Sequence, residues 1–289
     1  MYRFTNLTAA LRDDDSPLRA FLLDRFPHVR PIQQRYRAGA GELLVPGGSA
    51  DPATVGTAFD YLVRFALDAA YLPVPAIIGF GDDPAAAPVQ AIVRTAQNAE
   101  PGSVEQARAG WALALCTDVY RRGLRPDSPL TGLLDAGRFT ATELLRLASR
   151  DALGQLAALT EVADVFLLPE LRARAPLALG PTFAASVRCA ADADLIADGV
   201  LIDIKTRLGP ADPRTGARSD RLPRADLYQL IGYALFDSTD RYGIHEIGLY
   251  SARYGYFPRW PICDVLAELA GGPVDLAGER RAVARLLGG

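Results

Sequence analysis

The segment between residues 192 and 205 combines ionisable side chains that could do chemistry together. Asp192, Asp194 and Asp203 lie in two short, otherwise apolar runs, and the second run leads into Lys205. Lys205 is the only lysine among the 31 lysine and arginine residues. A lysine is a compact charge whose pKa can be tuned, whereas an arginine is planar and always charged. The sequence therefore favours a chemical role for Lys205, and chance is the alternative.

A turn between the two runs predicts how the aspartates face each other. Asp-Gly at 198–199 is typical of a two-residue type I′ hairpin, which places Asp194 opposite Asp203 and Asp192 opposite Lys205, all on one face. Directly opposed carboxylates destabilise a strand pair unless a counter-charge lies between them. Oxygen ligands suit Mg²⁺ or Mn²⁺, so a divalent-metal site is predicted. The alternative is the solvated polar face of an ordinary hairpin, with Lys205 as an ion-pair partner.

The same segment resembles the core of a nuclease superfamily. The letters ADADLIADGVLIDIKT place an aspartate on one strand and Asp-x-Lys on the next, and Gln229 and Tyr233 lie four residues apart on one face of a downstream helix. These motifs resemble those of PD-(D/E)XK nucleases, and QxxxY resembles their RecB-like branch, over residues 181–260. The resemblance implies a restriction-endonuclease-like βββαββ core and hydrolysis of phosphodiester bonds with Mg²⁺ or Mn²⁺.

The resemblance also implies roles for the residues of the Asp-x-Lys strand. Asp194, Asp203 and the backbone carbonyl of Ile204 would hold the metal, which would polarise the scissile phosphate and lower the pKa of a bound water. Lys205 would orient that water and offset the charge that grows in the transition state.

Three more residues are assigned through the resemblance. Gln229 joins the catalytic set and, with Tyr233, would position the metal site or the nucleic-acid backbone. In the family, an upstream helix carries GxxxH with a metal-binding histidine, and here Gly56 is followed by Asp60 at that place. Asp60 is therefore a candidate metal ligand, and the alternative is an acidic residue favoured by the helix dipole. Some relatives carry a four-cysteine iron–sulfur cluster, which three dispersed cysteines do not provide, so no iron–sulfur cluster is expected.

Charge predicts where nucleic acid would bind. The net charge of −3 excludes a globally basic nucleic-acid binder, so phosphate contacts must come from a local patch. Residues 205–224 contain six basic residues against two aspartates, which predicts a mobile phosphate-binding arm; the alternative is a solvated disordered loop. A weaker basic stretch covers 25–37. The nucleic-acid-binding candidates of the arm are Arg207, Arg214, Arg218, Arg221 and Arg224.

Periodicity predicts the elements that position these residues. Apolar spacing indicates a helix after Thr54, and capping boxes at Ser103 and Thr140 begin two more, the last continuing towards residue 166. Further helices are predicted at 224–238 and 274–287. The fold class is therefore α/β (α+β mixed), with a βββαββ core after a large helical N-terminal region. The strand patterns cover 181–189, 191–197, 200–206, 244–253 and 254–260.

The expected organisation is one nuclease-like domain over residues 1–289. Its parts are an N-terminal arm and loop (1–53), an inserted helical region (54–175), the PD-(D/E)XK core (176–262) and a C-terminal helix (263–289). The composition, 49% hydrophobic and 22% charged, is that of a globular protein. Because the sequence shows no membrane-spanning run, no export signal and only three scattered cysteines, a cytoplasmic location is expected.

The sequence thus predicts a metal-dependent phosphodiesterase: a nuclease that acts on DNA rather than RNA, in repair, recombination or defence. Two other classes stay open. One is a catalytically weak nucleic-acid-binding or scaffolding module with a nuclease-like fold, and the other is a metal-dependent phosphohydrolase of small nucleotides. A homo-oligomer or a protein partner is also left open, and no membrane partner is expected.

Overall fold

The computed structural model describes residues 4–81 and 85–288, which form fourteen α-helices and one five-stranded mixed sheet. The predicted mixed α+β class is confirmed. No helix in these two ranges is long and apolar enough to cross a membrane.

The described chain packs as two compact units, where the sequence predicts a single domain. The first unit contains the residues up to Glu42, Ala173–Ile204 and the residues from Gly209 onwards. The second contains Leu43–Arg172 and the four-residue segment Lys205–Leu208. The last residue of the Asp-x-Lys strand is therefore grouped with the second unit, although its neighbours in the strand belong to the first.

Three short helices occupy much of residues 1–53, which the sequence assigns to an N-terminal arm and loop. That assignment is therefore wrong. They are α1 (Leu7–Arg12), α2 (Pro17–Arg25) and α3 (Arg30–Gly39). Asn6 and Ser16 cap the first two through their side chains, and prolines occupy the first turn of α2 and α3, where a missing N–H costs nothing. Because each of these helices is short, its apolar residues repeat too few times for a helical period to be recognised in the sequence.

Eight helices form the second unit, and the first of them covers the helix predicted after Thr54. α4 and α7 pack closely because Gly110 of α7 leaves room for Leu62 of α4. The helix predicted from Thr140 is wrong in its length: it ends at Arg146, and Ser149 caps a separate helix. The eight are α4 (Pro52–Leu67), α5 (Val74–Ile78), α6 (Ala86–Asn98), α7 (Val104–Arg122), α8 (Pro129–Asp135), α9 (Ala141–Arg146), α10 (Arg150–Phe166) and α11 (Leu168–Arg172).

The sheet of the first unit has the order β1-β2-β3-β4-β5. Antiparallel pairing joins β1 to β2, β2 to β3 and β4 to β5. β4 runs parallel to β3, since the N–H of His245 donates to the carbonyl of Gly199 (3.0 Å) and brings the beginnings of the two strands together. The strands are β1 (Leu177–Leu179), β2 (Leu195–Ala197), β3 (Val200–Lys205), β4 (Glu246–Ser251) and β5 (Arg259–Pro261).

Helix α12 (Arg224–Phe236) connects β3 to β4, so the predicted βββαββ order is present. Two details differ. The predicted strand at 181–189 is instead a 3-10 turn at Ala184–Val187, and the first strand lies earlier, at β1. The predicted C-terminal helix 263–289 is two helices, α13 (Ile262–Ala270) and α14 (Leu276–Leu286), because Gly271 ends the first in a left-handed conformation, with φ of 75°.

Candidate functional site

The hairpin that carries the aspartates has the predicted turn and register. Asp198 and Gly199 both have positive φ, 49° and 72°, as a type I′ turn requires. Leu195 pairs with Ile202, and Ala197 with Val200. The sequence could specify this register because a two-residue turn leaves only one way to align the flanking strands.

The hairpin ladder ends where the candidate site begins. Leu195–Ile202 is the last pair of the β2–β3 register. At the next position, Oδ2 of Asp194 accepts a hydrogen bond from the backbone N–H of Ile204 at 2.6 Å. The N–H and C=O of one strand residue face the same neighbour, so the carbonyl of Ile204 also faces the side on which Asp194 lies. A carboxylate and a carbonyl, both predicted metal ligands, thus lie at the open end of the hairpin.

Asp203 is buried in the face of the sheet that carries α12. Its neighbour on the same face, Leu201, belongs to one apolar cluster with Ile196 of β2 and Ile231 of α12. Asp203 itself is only 2% exposed, whereas Asp192 is exposed. The alternative of a solvated polar hairpin face is therefore wrong for Asp203, because a buried carboxylate costs free energy unless other groups stabilise it.

Gln229 and Tyr233 lie beside these carboxylates, on the helix that packs against the sheet. Nε2 of Gln229 donates to the hydroxyl of Tyr233 at 2.8 Å. Burial raises the pKa of Tyr233 well above its usual value, and the charges of Asp203, Asp194 and Asp192 raise it further. The hydroxyl therefore stays protonated at neutral pH, and it lies near enough to the three aspartates for their charges to act on it.

Lys205 ends β3, two residues after Asp203, and strand alternation puts both side chains on one face. The segment that follows packs within the second unit. A methyl group at Gly56 of α4 would lie only 3.0 Å from Oγ1 of Thr206, so a glycine is needed where the two meet. Asp60 lies four residues after Gly56, on the same face of α4. The GxxxD helix therefore presents its Gly–Asp face to the segment that begins at Lys205.

Asp60 takes part in a buried ion pair. Nε of Arg64 donates to Oδ1 of Asp60 (3.0 Å), and Nη2 lies 2.6 Å from Oδ2. Arg64 is 6% exposed; it also donates to the hydroxyl of Tyr71 (2.7 Å) and lies over the rings of Tyr61 and Tyr71. Because α4 begins at Pro52, Asp60 lies beyond its first turn, and the alternative of an acidic residue favoured by the helix dipole is wrong. The ion pair with Arg64 fixes the orientation of Asp60. Its role as a metal ligand remains a prediction.

The segment predicted to be a mobile arm is a compact turn for much of its length. Ala211 pairs with Arg218, and the side chain of Asp212 accepts the N–H groups of Arg214 and Thr215. Nη1 of Arg218 donates to the carbonyl of Gly209 at 2.8 Å. The alternative of a disordered loop is not what the structure shows. The exposed arginines of this turn and of the residues after it are Arg214, Arg218, Arg221 and Arg224, whereas Arg207 is half-buried.

The weaker basic stretch at 25–37 is partly neutralised. Arg25 pairs with Glu279 at 2.6 Å, and Arg35 pairs with Glu268. The hydrogen bond from Arg35 lowers the pKa of the Glu268 carboxyl, which keeps that partner charged. These two arginines therefore stabilise the fold and are poor candidates for phosphate binding.

The donor set at the hairpin end fits a hard divalent cation by its chemistry. Asp194, Asp203 and the Ile204 carbonyl all offer oxygen, which Mg²⁺ and Mn²⁺ prefer. No group of three or more histidine, cysteine, aspartate or glutamate side chains within the described ranges has an arrangement that could hold a metal ion. The hairpin end thus offers two carboxylates and one carbonyl as donors, and water would complete the coordination of a bound Mg²⁺.

The sequence did not indicate two contributors. Phe183 stacks on Tyr233, with ring centroids 5.6 Å apart, but its position in an assumed strand hid this contact. Arg64 lies four residues after Asp60, a spacing that predicts an ion pair on a helix, but the sequence did not indicate that Arg64 is buried.

Comparison of the chain with protein-family models, with curated proteins and with solved structures finds no match.

Proposed function

We propose that this chain is a divalent-metal-dependent nuclease of the PD-(D/E)XK type, similar to the RecB-like branch, that hydrolyses phosphodiester bonds in DNA. One observation carries the proposal: two carboxylates, one of them buried, lie at the open end of a hairpin against a helix whose Gln229–Tyr233 pair is electrostatically coupled to them. A bound cation would offset the charge of carboxylates placed so close together.

Each residue has a defined task in this proposal. Asp194 and Asp203, with the carbonyl of Ile204, hold Mg²⁺ or Mn²⁺, which supplies charge stabilisation at the phosphate and a water of lowered pKa. The hydrogen bond from Ile204 orients the Asp194 carboxylate. Lys205 donates to the attacking water and offsets negative charge in the transition state. Gln229 keeps the Tyr233 hydroxyl in place beside the aspartates.

The exposed arginines after β3 supply the contact with nucleic acid. Arg214 stands on a turn that Asp212 holds in shape, so its guanidinium projects from an ordered support. Arginines bind phosphate through two parallel hydrogen bonds, and binding that depends on them weakens as salt rises. An acidic chain of this kind would bind nucleic acid locally, through this surface, in a cytoplasmic setting of repair, recombination or defence.

A second candidate is a nucleic-acid-binding or scaffolding module with weak or no catalysis. The finding that favours it is the absence, within the described ranges, of a three-residue metal-binding group of acidic, histidine or cysteine side chains. Binding without cleavage would identify this second function.

The test is incubation of the full chain with linear, circular and single-stranded DNA and with RNA, in Mg²⁺, Mn²⁺ or EDTA. Cleavage is expected on DNA with either metal and not with EDTA, and Asp203→Asn is expected to abolish it. The matched control is Asp198→Asn on the same hairpin, because Asn tolerates the positive φ of that exposed turn residue. Equal rates in wild type and Asp203→Asn would refute the nuclease assignment.

A further inference from the structure

The loop between residues 182 and 192 begins and ends beside the aspartates of the candidate site. Thr182 pairs with Asp192 in an antiparallel bridge that closes the base of the loop. Just inside this bridge, Phe183 is 5% exposed and stacks on Tyr233. Near the other end of the loop, Cys189 is buried in the core of the first unit. The base and inner side of the loop are therefore fixed next to the candidate site.

Hydrogen bonds hold this loop in one shape. The hydroxyl of Ser186 accepts the N–H of Phe183 at 2.9 Å and donates to the carbonyl of Ala191 at 2.7 Å. The N–H of Ala190 donates to the carbonyl of Thr5, also at 2.9 Å. These bonds use local polar groups that a strand would otherwise pair. The tip between them is thus supported on both sides.

The outer side of the loop carries an apolar residue followed by a basic one. Val187 is 85% exposed, the highest value for a large apolar side chain among the described residues, and Arg188 is exposed next to it. Single exposed apolar residues are common on protein surfaces. This one, however, stands on a hydrogen-bonded turn whose other side contacts the QxxxY tyrosine.

We propose that Val187 and Arg188 form a substrate-contacting tip for nucleic acid whose bases are accessible, at a frayed end or at a junction of single and double strand. This rests on the proposed function. Arg188 binds a backbone phosphate, and Val187 packs on the face of an unstacked base, as apolar side chains do when they insert at a base step. Because the turn is already ordered, binding loses little conformational entropy.

The experiment measures binding by the full chain in EDTA, where cleavage does not interfere. The probes are a blunt duplex, a forked duplex with the same paired sequence and a single strand, each with 2-aminopurine at the end or fork. Val187→Ser and Arg188→Ala are compared with the exposed controls Val165→Ser, on α10, and Arg172→Ala, on α11. All four positions are on the surface, so the variants are expected to fold, and melting curves check this.

Wild type is expected to bind the forked duplex more tightly than the blunt one, with a rise in 2-aminopurine fluorescence as the base unstacks. Val187→Ser should lose about tenfold in affinity for the fork, the scale of burying one valine side chain, and should lose the fluorescence rise. Arg188→Ala should weaken all probes similarly and reduce the slope of log affinity against log salt by about one. The two controls should match wild type.

Two results would overturn the proposal while leaving the nuclease assignment intact: Val187→Ser with unchanged affinity and fluorescence on the fork, or an equal loss in Val165→Ser. If Val187→Ser impairs only association with another protein, the tip is a protein contact and the proposal also fails. If wild type neither binds nor, with Mg²⁺ or Mn²⁺, cleaves any probe, the proposed function itself fails.

Discussion

The carboxylate of Asp194 replaces the backbone as the acceptor for Ile204, with 2.6 Å between Oδ2 and the amide nitrogen. One side chain thus ends the β2–β3 ladder and holds the two strand ends at a fixed separation. In the proposed function the same carboxylate binds the metal. Asp203, by contrast, is buried in the face of the sheet that carries α12. The two aspartates therefore differ in what they contribute to the metal-free fold.

This difference gives the first prediction. In EDTA, Asp194→Ala is expected to lower the free energy of unfolding by about 1–3 kcal/mol, because the buried N–H of Ile204 loses its acceptor. Asp203→Asn is expected to change it less, since the amide keeps the size and shape of the buried side chain. Mg²⁺ or Mn²⁺ should stabilise wild type, because the ion binds the folded state, and should stabilise neither variant. Urea unfolding with EDTA and with metal measures both effects. A metal-induced stabilisation of equal size in Asp203→Asn would contradict the assignment of that ligand.

The second prediction concerns Asp60 and Arg64. Each single variant, Asp60→Asn or Arg64→Gln, is expected to lower the free energy of unfolding by about 1–3 kcal/mol in EDTA, because it removes the ion pair and one set of its largely buried hydrogen bonds. The double variant should lose less free energy of unfolding than the two single variants added together. The double-mutant cycle then gives the interaction free energy between Asp60 and Arg64.

Metal titration of the same proteins tests whether Asp60 is also a ligand. If it is, Asp60→Asn should weaken Mn²⁺ affinity measured by calorimetry more than Arg64→Gln does. Identical Mn²⁺ affinities in wild type and Asp60→Asn would leave Asp60 as an ion-pair partner of Arg64 alone.

The hairpin and the α12 helix could be predicted because local rules determine them. Asp-Gly at 198–199 needs positive φ at both positions, and the register follows from the length of the turn. Gln229 and Tyr233 share a helix face for a similarly local reason. The contact of this face with the aspartates is not local, and only the resemblance to a known motif indicated it.

The features that the sequence did not predict depend on side-chain hydrogen bonds, short helices and contacts between residues far apart in the chain. Ser186 satisfies the backbone at Phe183 and Ala191, so residues with strand propensity form a 3-10 turn instead. The helices before residue 42 are too short for periodicity to show. Lys205–Leu208 is grouped with the second unit, where Thr206 lies close to Gly56. Only the resemblance to the GxxxH helix, and no local rule, indicated an approach between residues 150 positions apart.

The third prediction uses the cysteines as probes of the two units. Cys189 lies in the first unit and Cys116 in the second; both are buried, whereas Cys263 is exposed. Burial raises the pKa of Cys116 to about 12 and that of Cys189 to about 11, so neither forms a thiolate at pH 8. A disulfide reagent is expected to modify the thiol of Cys263 rapidly in the native protein, and those of Cys116 and Cys189 only as the fold opens.

Cys263→Ser provides the control for this measurement, since it should remove the rapid phase and leave the slow phases unchanged. Peptide mapping at intermediate urea then assigns the slow phases to Cys116 and Cys189, and so reports the opening of each unit. Rapid modification of all three thiols without urea would contradict the packing around Cys116 and Cys189.

The last prediction concerns Lys205, the only lysine in a chain that uses arginine at its other 30 basic positions. If Lys205 only balances the charge of the aspartates, Lys205→Arg should keep most of the activity. If it orients the attacking water, both Lys205→Arg and Lys205→Ala should lose cleavage by on the order of 10²-fold, the scale of removing one preorganised donor to a transition state. The planar guanidinium is larger and cannot occupy the position of an ammonium. Metal-induced stabilisation should persist in both variants, because Asp194 and Asp203 remain. Arg172→Lys, at an exposed position at the end of α11 and away from the basic turn, is the reverse exchange and should cleave nearly as fast as wild type. The test measures rates of DNA cleavage, and melting with and without Mg²⁺, on the same preparations. A Lys205→Arg protein that cleaves at the wild-type rate would exclude a water-orienting role for Lys205. The two-carboxylate metal site would then be the only part of the proposed mechanism that remains.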